Sequence, residues 1–374
     1  MVKLLPELCR IQYGYAFDSS FFSNDTGVPI VRIRDVMRGY SETYTTERCD
    51  DEYLVQNGDI LIGMDGEFNI ARWNGGKAYL NQRVCRLIPY GEIDAAYLLY
   101  FMPKALKAIE DKTPFVTVKH LSAKELNKIE VPLPPMAEQI EIARRLQMVD
   151  DLIFFHYQQL AKLDELVKSR FVELFGTIHD NKRGYEIKTL QDVCEQIKDG
   201  THQTPTYTDD SVNGYKFLSS KDVTSGRIDW THIKYIPEEL HNELYARIAP
   251  KKGDILLAKN GTTGIAAIVD RDEIFDIYVS LALLRPIEIN SVYLWAAINS
   301  VETKQQFDSS LKGIGVPNLH LGEIKKAKII VPPMEEQNQF ATFVEQTDKS
   351  KLAIQESLAK LETLKKSLMQ QYFG

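Results

Sequence analysis

Residues 134–139 read Pro-Pro-Met-Ala-Glu-Gln, and residues 160–176 read LAKLDELVKSRFVELFG. The first stretch returns at 332–337 as Pro-Pro-Met-Glu-Glu-Gln, with five of six positions identical. The second returns at 358–374 as LAKLETLKKSLMQQYFG, with nine of seventeen identical and both copies closing on Phe-Gly. Both recurrences share one offset of 198 residues, so the chain is an internal duplication whose best-preserved part is the segment between these landmarks.

The periodicity of that segment defines its structure. Steps of four and three from Ile142 reach Leu146, Val149, Ile153, His156, Leu160, Leu163, Val167, Arg170 and Leu174. The matching line in the second copy is Phe340, Val344, Thr347, Lys351, Ile354, Leu358, Leu361, Lys365, Leu368 and Tyr372. A 3.5-residue apolar period without Pro or Gly predicts coiled-coil helices, each about 55 Å long at 1.5 Å per residue. The expected seam is Leu146, Val149, Ile153, Leu160, Leu163 and Val167 against Val344, Ile354, Leu358, Leu361 and Leu368. Pro135 and Pro333 suit a first helical turn, and Glu138 and Glu336 suit its positive end. His156, Lys351 and Lys365 are polar seam positions, which are expected to weaken the pairing locally.

Upstream the register drifts but anchors remain. Gly58-Asp59-Ile60-Leu61 answers Gly253-Asp254-Ile255-Leu256, Asp35-Val36 with Gly39 answers Asp222-Val223 with Gly226, and Leu5 with Cys9 answers Leu190 with Cys194. Leu121, Glu125 and Lys128 answer Leu319, Glu323 and Lys326. The order is thus variable domain (1–134), helix (135–176), variable domain (177–332), helix (333–374). Runs such as VPIVRIRDV, GDILIGMDG and IYVSLALLRPI predict short strands. Asp94 is positioned to cap AAYLLYFM before Pro103, Asn290 to cap VYLWAAINS, and Ser122 with Glu125 to form a capping box. The expected fold class is α+β: two similar mixed α/β domains, each followed by a long coiled-coil helix.

Composition narrows the function classes. With 374 residues, 44% hydrophobic and 26% charged, the chain is long enough for two or three domains with their own cores. No apolar run approaches the roughly 18 residues needed to span a bilayer, and the start meets Arg10 too early for a signal peptide, so a cytoplasmic location is expected. Cys9, Cys49, Cys85 and Cys194 form no Cys-x-x-Cys pair and read as small core residues. The net charge of −7 is unusual for a nucleic-acid binder, so any basic face must arise by spatial segregation.

Catalytic signatures are missing. The sequence contains no Gly-x-x-x-x-Gly-Lys-Ser/Thr loop, no Gly-x-Ser-x-Gly elbow and no His-Glu-x-x-His. Gly261-Thr262-Thr263-Gly264 lacks the Lys of a phosphate loop and reads as a turn, and the seven histidines show no ligand spacing, so no metal site is expected. No Asn/Asp-Pro-Pro-aromatic tetrapeptide, the element with which an adenine methyltransferase holds a flipped base, is present. The chain reads as non-catalytic.

The duplicated Pro-Pro-Met-x-Glu-Gln entries, the paired helices ending in Phe-Gly, the Gly-Asp-Ile-Leu turns and the Asn81-Gln82-Arg83-Val84 strand together resemble the specificity subunit of type I restriction-modification systems. The resemblance spans essentially the whole chain. It implies that each variable domain is a target-recognition domain reading one half of a split, asymmetric double-stranded DNA site. It implies also that the helices pair as an antiparallel coiled coil with pseudo-two-fold symmetry, set the spacing and dock two methyltransferase subunits, which carry S-adenosylmethionine. Restriction/translocase subunits would bring ATP and Mg2+, with no cofactor bound by this chain itself. A two-lobed coiled-coil adaptor for proteins, without DNA specificity, is the alternative.

Amide, hydroxyl and basic side chains are the groups that read base edges. The candidates are Asn69, Arg72, Asn81, Gln82, Arg83, Lys119 and His120 in the first domain, and His202, Gln203, Thr204, Lys221, Lys259, Asn260, Thr262 and Thr263 in the second. The competing structural roles are strand backbone for Asn81 and Gln82, a solvated charge for Lys221, and a left-handed turn for Asn260. The helix entries Pro135, Glu138, Gln139, Pro333, Glu336 and Gln337 are candidate partner-docking positions, with helix-start capping as the equal alternative.

Overall fold

A computed structural model describes residues 1–112, 119–311 and 317–374. The chain divides into two units: Met1–His156 with Glu356–Gly374, and Tyr157–Gln355. The two long helices, α1 (Met136–Phe175) and α2 (Met334–Phe373), therefore each contribute one half to each unit.

In unit 1 the central sheet is built from β1 (Cys9–Tyr13), β2 (Ile60–Gly63), β3 (Asn69–Arg72) and β4 (Val84–Pro89), antiparallel throughout in the order β1-β4-β2-β3. Val2–Leu4 pairs with Glu130–Pro132, and a second sheet is joined through the parallel pair Val28–Val31 and Ala78–Leu80. Unit 2 repeats the plan. Its strands β5 (Cys194–Asp199), β6 (Ile255–Ala258), β7 (Ala266–Ile268) and β8 (Leu281–Pro286) lie in the order β5-β8-β6-β7. Glu186–Thr189 pairs with Lys328–Val331, and Tyr215–Leu218 runs parallel to Phe275–Ile277.

The repeated motifs acquire physical reasons. Asp59 and Asp254, of the Gly-Asp-Ile-Leu turns, each accept a backbone N–H at 2.8 Å, from Gln56 and Lys251. Each also holds an arginine of the neighbouring strand, Arg86 at 2.9 Å and Arg285 at 2.7 Å. Asp35 and Asp222 likewise fold back onto the N–H of Arg32 and Ser219 to start a short helical turn. At Gly14 and Gly200 a Cβ would come within 2.1 Å of a backbone carbonyl oxygen, of Asn81 and Ile277, so only glycine lets these segments cross.

The units differ where the sequence anchors are absent. Unit 2 carries a helix at Glu238–Arg247, and two helices, Ser291–Ile298 and Val301–Ser310, stand where unit 1 has the single helix Ala95–Lys112. That helix passes through Pro103, where the sequence predicts a stop. Pro103 sits on the exposed side, while Phe101, Met102 and Leu106 are buried, so the lost N–H faces solvent and packing carries the helix onward. Asp94 and Asn290 cap as expected, accepting from Ala96 and Tyr97, and from Val292 and Tyr293.

Within each unit the helices run antiparallel. In unit 1 the pairs are Arg145 with Tyr372, Asp150 with Lys365 and His156 with Ser357, at 3.3, 2.6 and 2.9 Å. In unit 2 Lys351 Nζ lies 2.5 Å from Asp164 Oδ1, and the rings of Phe171 and Phe340 are 5.5 Å apart. All positions on the two 3.5-residue lines are buried or half-buried. The polar positions expected to weaken the seam each meet a polar group of the facing helix.

Ile142 and Leu146 of α1 and Phe373 of α2 enter the core of unit 1 beside Leu5, Leu87 and Leu98. Val167 and Phe171 of α1 and Phe340 and Val344 of α2 enter that of unit 2. Burial pushes the thiols of Cys9, Cys85 and Cys194 up to about 12, as for inert core residues. Among the described residues, no helix is long and apolar enough to cross a membrane.

Candidate nucleic-acid interface

In unit 1, β2 leaves the sheet at Met64-Asp65-Gly66, and Asp65 forms a bridge with His120. The turn Asn81-Gln82-Arg83 leads into β4 beside it, because Met64 N–H donates to the Arg83 carbonyl at 3.0 Å. Three side chains therefore converge. His120 Nδ1 lies 2.5 Å from Asp65 Oδ1, Arg83 Nε lies 3.5 Å from Asp65 Oδ2, and Arg83 Nη1 lies 3.4 Å from His120 Nδ1. Asn81 is bridged to Tyr15, and its Oδ1 accepts the Gln82 N–H, which leaves the Gln82 side chain exposed. Asn69 starts β3 at the same sheet end, opposite Gly63, with its Oδ1 buried and unpartnered among the described residues. Lys119 turns back to the Glu110 carbonyl at 2.9 Å. Arg72 sits at the far end of β3, across from Ile60, and is exposed but outside this group.

Unit 2 builds the same corner with different chemistry. β6 exits at Lys259-Asn260-Gly261, Asn260 bridges to Asn318, and Lys259 N–H donates to the Ser280 carbonyl at 2.8 Å. Lys259, expected to face a base, is only 5% exposed. Its ammonium holds Asp199 at 3.0 Å, and His202 lies on the same carboxylate at 3.2 Å. Burial works to raise Asp199, but the Lys259 hydrogen bond and charge, with the His202 charge, hold it below the usual carboxylate range. Lys259 is thus a structural cation here, since moving it outward would strand a carboxylate. Asn260 does not adopt the left-handed turn; Gly261 does, at φ +76°. Gln203, Thr204, Lys221 and Thr262 are exposed around this corner, and Thr263 is half-buried.

The sequence reading does not single out Asp65, Asp199 or Asn318. The duplication itself carries part of the missing signal. Aligning the Gly-Asp-Ile-Leu turns sets Asp65 against Asn260, and the offset of 198 sets His120 against Asn318. Asp199 has no such marker, because its role appears only when the end of β5 is brought against Lys259 across the intervening β8.

The helix entries separate into two kinds. Gln139 and Gln337, expected as docking positions, are each 1% exposed and fully engaged. Gln139 accepts the Asp94 N–H at 2.9 Å and donates to the carbonyls of Pro134 and Glu92. Gln337 accepts the Asn290 N–H at 2.9 Å and donates to the Pro332 carbonyl at 2.7 Å. They pin each long helix to the cap of a helix in its own unit, which removes them from any partner surface. Glu336 is tied to Tyr185 and Arg183, at 2.6 and 3.1 Å, whereas Pro135, Glu138 and Pro333 are exposed.

Comparison with known proteins gives a consistent result. The family model described as type I restriction modification DNA specificity domain matches residues 1–165 and again 182–366. The type I restriction enzyme EcoBI specificity subunit of Escherichia coli is 29% identical, covering 99% of this chain and 84% of its own length. The MjaVIII specificity subunit of Methanocaldococcus jannaschii is 26% identical, covering 91% and 87%. Among solved structures, the S subunit of a type I restriction-modification system from M. genitalium aligns at TM-score 0.57 with 16% identity, covering 100% of this chain and 96% of that one. A chain from a study of complex assembly and conformational transition of a type I R-M system aligns at TM-score 0.61 with 17% identity, covering 100% and 97%.

Proposed function

Because the chain belongs to the family of type I restriction modification DNA specificity domains, which it matches twice, we propose that it selects the DNA sequence for such a system, each unit reading one half of a split, asymmetric site. The observation that carries this is the corner repeated in both units: one backbone framework presents Asp65, Arg83 and His120 in the first and Asn260, Ser280 and Asn318 in the second. Like frameworks with unlike side chains suit unlike half-sites approached in the same way. The exposed candidates Gln82, Arg83 and His120, and His202, Gln203, Thr204, Lys221 and Thr262, are the first side chains to test as contacts. The long helices would set the gap between half-sites.

The chain acts as a non-catalytic subunit. Two methyltransferase subunits would bring S-adenosylmethionine, and restriction/translocase subunits ATP and Mg2+. Met148, Leu152 and Phe155, at helical spacing on one exposed face of α1, support docking of a partner there. A partner that supplies phosphate contacts would also account for a net charge of −7 on a DNA-reading subunit. In this reading the complex works in the cytoplasm on cellular DNA.

A base-resolution map of N6-methyladenine in the source cell, with this chain present and deleted and the methyltransferase expressed, tests the reading. Loss of one split, asymmetric motif on deletion is expected. An unchanged map overturns it and leaves the protein adaptor. Exchange of residues 1–131 for a homologous domain should alter one half of the motif only.

A further inference from the structure

The corner of unit 1 is built unlike that of unit 2 in one respect that bears on which base is read. Arg83 is half-exposed, and its guanidinium is held from one side by Asp65, 3.5 Å from Nε. Asp65 is in turn braced by His120, 2.5 Å away. The framework-equivalent positions in unit 2 are Ser280, Asn260 and Asn318, with no arginine and no carboxylate. We propose that the half-site read by unit 1 contains a guanine contacted by Arg83, with Asp65 as the positioning residue. The proposal rests on the reading under Proposed function.

Two ligands attract an exposed arginine on a DNA-binding face: a phosphate, or the O6 and N7 acceptors of guanine in the major groove. The neighbourhood separates them. A carboxylate beside the guanidinium cancels its charge and repels a phosphate, so this is a poor backbone anchor. The same carboxylate lies 3.5 Å from Nε and His120 Nδ1 lies 3.4 Å from Nη1, so two neighbours orient the guanidinium, and Nη2 has no hydrogen-bond partner among the described residues. A two-pronged contact to a neutral base edge would use Nη2 together with a nitrogen that these neighbours orient. A lysine at this place would keep the charge and lose the fork.

The test uses the full chain co-expressed with its methyltransferase subunits in a host without other adenine methylation. The wild-type map should show a guanine in one half of the motif. Arg83→Lys and Arg83→Ala should extend methylation to other bases at that single position and leave the other half strict. With the purified complex, discrimination against the substituted base should fall by about 5- to 150-fold, while the salt dependence of Arg83→Lys binding is unchanged. Asp65→Asn should relax the same guanine and no other position, a signature that general loosening of the fold would not produce. Undiminished discrimination in Arg83→Lys overturns the proposal. So does an Arg83→Ala complex that binds all sequences more weakly alike, with the salt slope reduced by about one, which is the behaviour of a phosphate contact. A wild-type map with no split motif instead overturns the underlying functional reading.

Discussion

The ring of Phe373 lies 5.3 Å from that of Tyr97, so the last turn of α2 closes a core otherwise built from residues 1–156. Phe101 flanks the same ring at 5.8 Å. Phe373→Ala should cost about 3–5 kcal/mol in unit 1, typical of emptying a buried aromatic site. Hydrogen exchange read by mass spectrometry should show protection lost in residues 1–156 and kept in 157–355. Equal loss in both would mean that the ring is not confined to the first core.

Lys351 is buried in the α1–α2 seam of unit 2, and its ammonium reaches Asp164, whose side chain is largely exposed. The pair is asymmetric in burial, so its halves should respond differently. Asp164→Ala leaves the buried cation with Asp348 alone, 3.5 Å away, and should cost about 1–3 kcal/mol, whereas Lys351→Met places an apolar chain in an apolar seam and should stay within about 1 kcal/mol of wild type. Urea unfolding of both variants decides this, and equal losses would sink the idea.

Gln139 and Gln337 hold the starts of α1 and α2 through buried amides. Replacement of either by Ala should cost about 1–3 kcal/mol, because backbone groups are left unmatched. The loss should appear in unit 1 for Gln139 and in unit 2 for Gln337. Affinity for partner subunits, measured well below the melting transition, should be unchanged; a drop there would restore these residues to a docking role.

Asp276 is buried in unit 2 with His241 Nδ1 2.7 Å away, and Tyr215 stacks on that imidazole at 3.7 Å. Burial pushes the Asp276 carboxyl up to about 6, against the partial pull of the His241 hydrogen bond and charge. A carboxyl raised above its unfolded value of about 3.9 contributes stability that is full below that value and is lost as pH rises through about 6. The stability difference between wild type and Asp276→Asn should therefore shift against the wild type between pH 4 and 7. A pH-independent difference in denaturant unfolding would refute the assignment.

Much of the architecture is legible in the sequence. The duplication at an offset of 198, the 3.5-residue period from Ile142 and from Phe340, and the capping residues Asp94 and Asn290 are local or periodic signals, and helices, caps and internal repeats are written in just such terms. The corner residues were only half legible. Arg83 and His120 stand out by type, but Asp65 matters because β2 and the segment at His120 are brought together across 55 positions of sequence.

Two matters belonged to the tertiary structure alone. Whether a polar side chain is available or already engaged depends on its neighbours in space: Lys259 and Gln139 look in sequence like groups awaiting a ligand, and both are buried and satisfied by residues remote from them. The membership of the units is the other. The duplication of the domains and the two coiled-coil helices are written in the chain, because repetition and apolar period are properties of the chain. That residues 356–374 complete the core of residues 1–156 depended on packing, since no single segment buries enough apolar surface to form a core without the helix that returns to it.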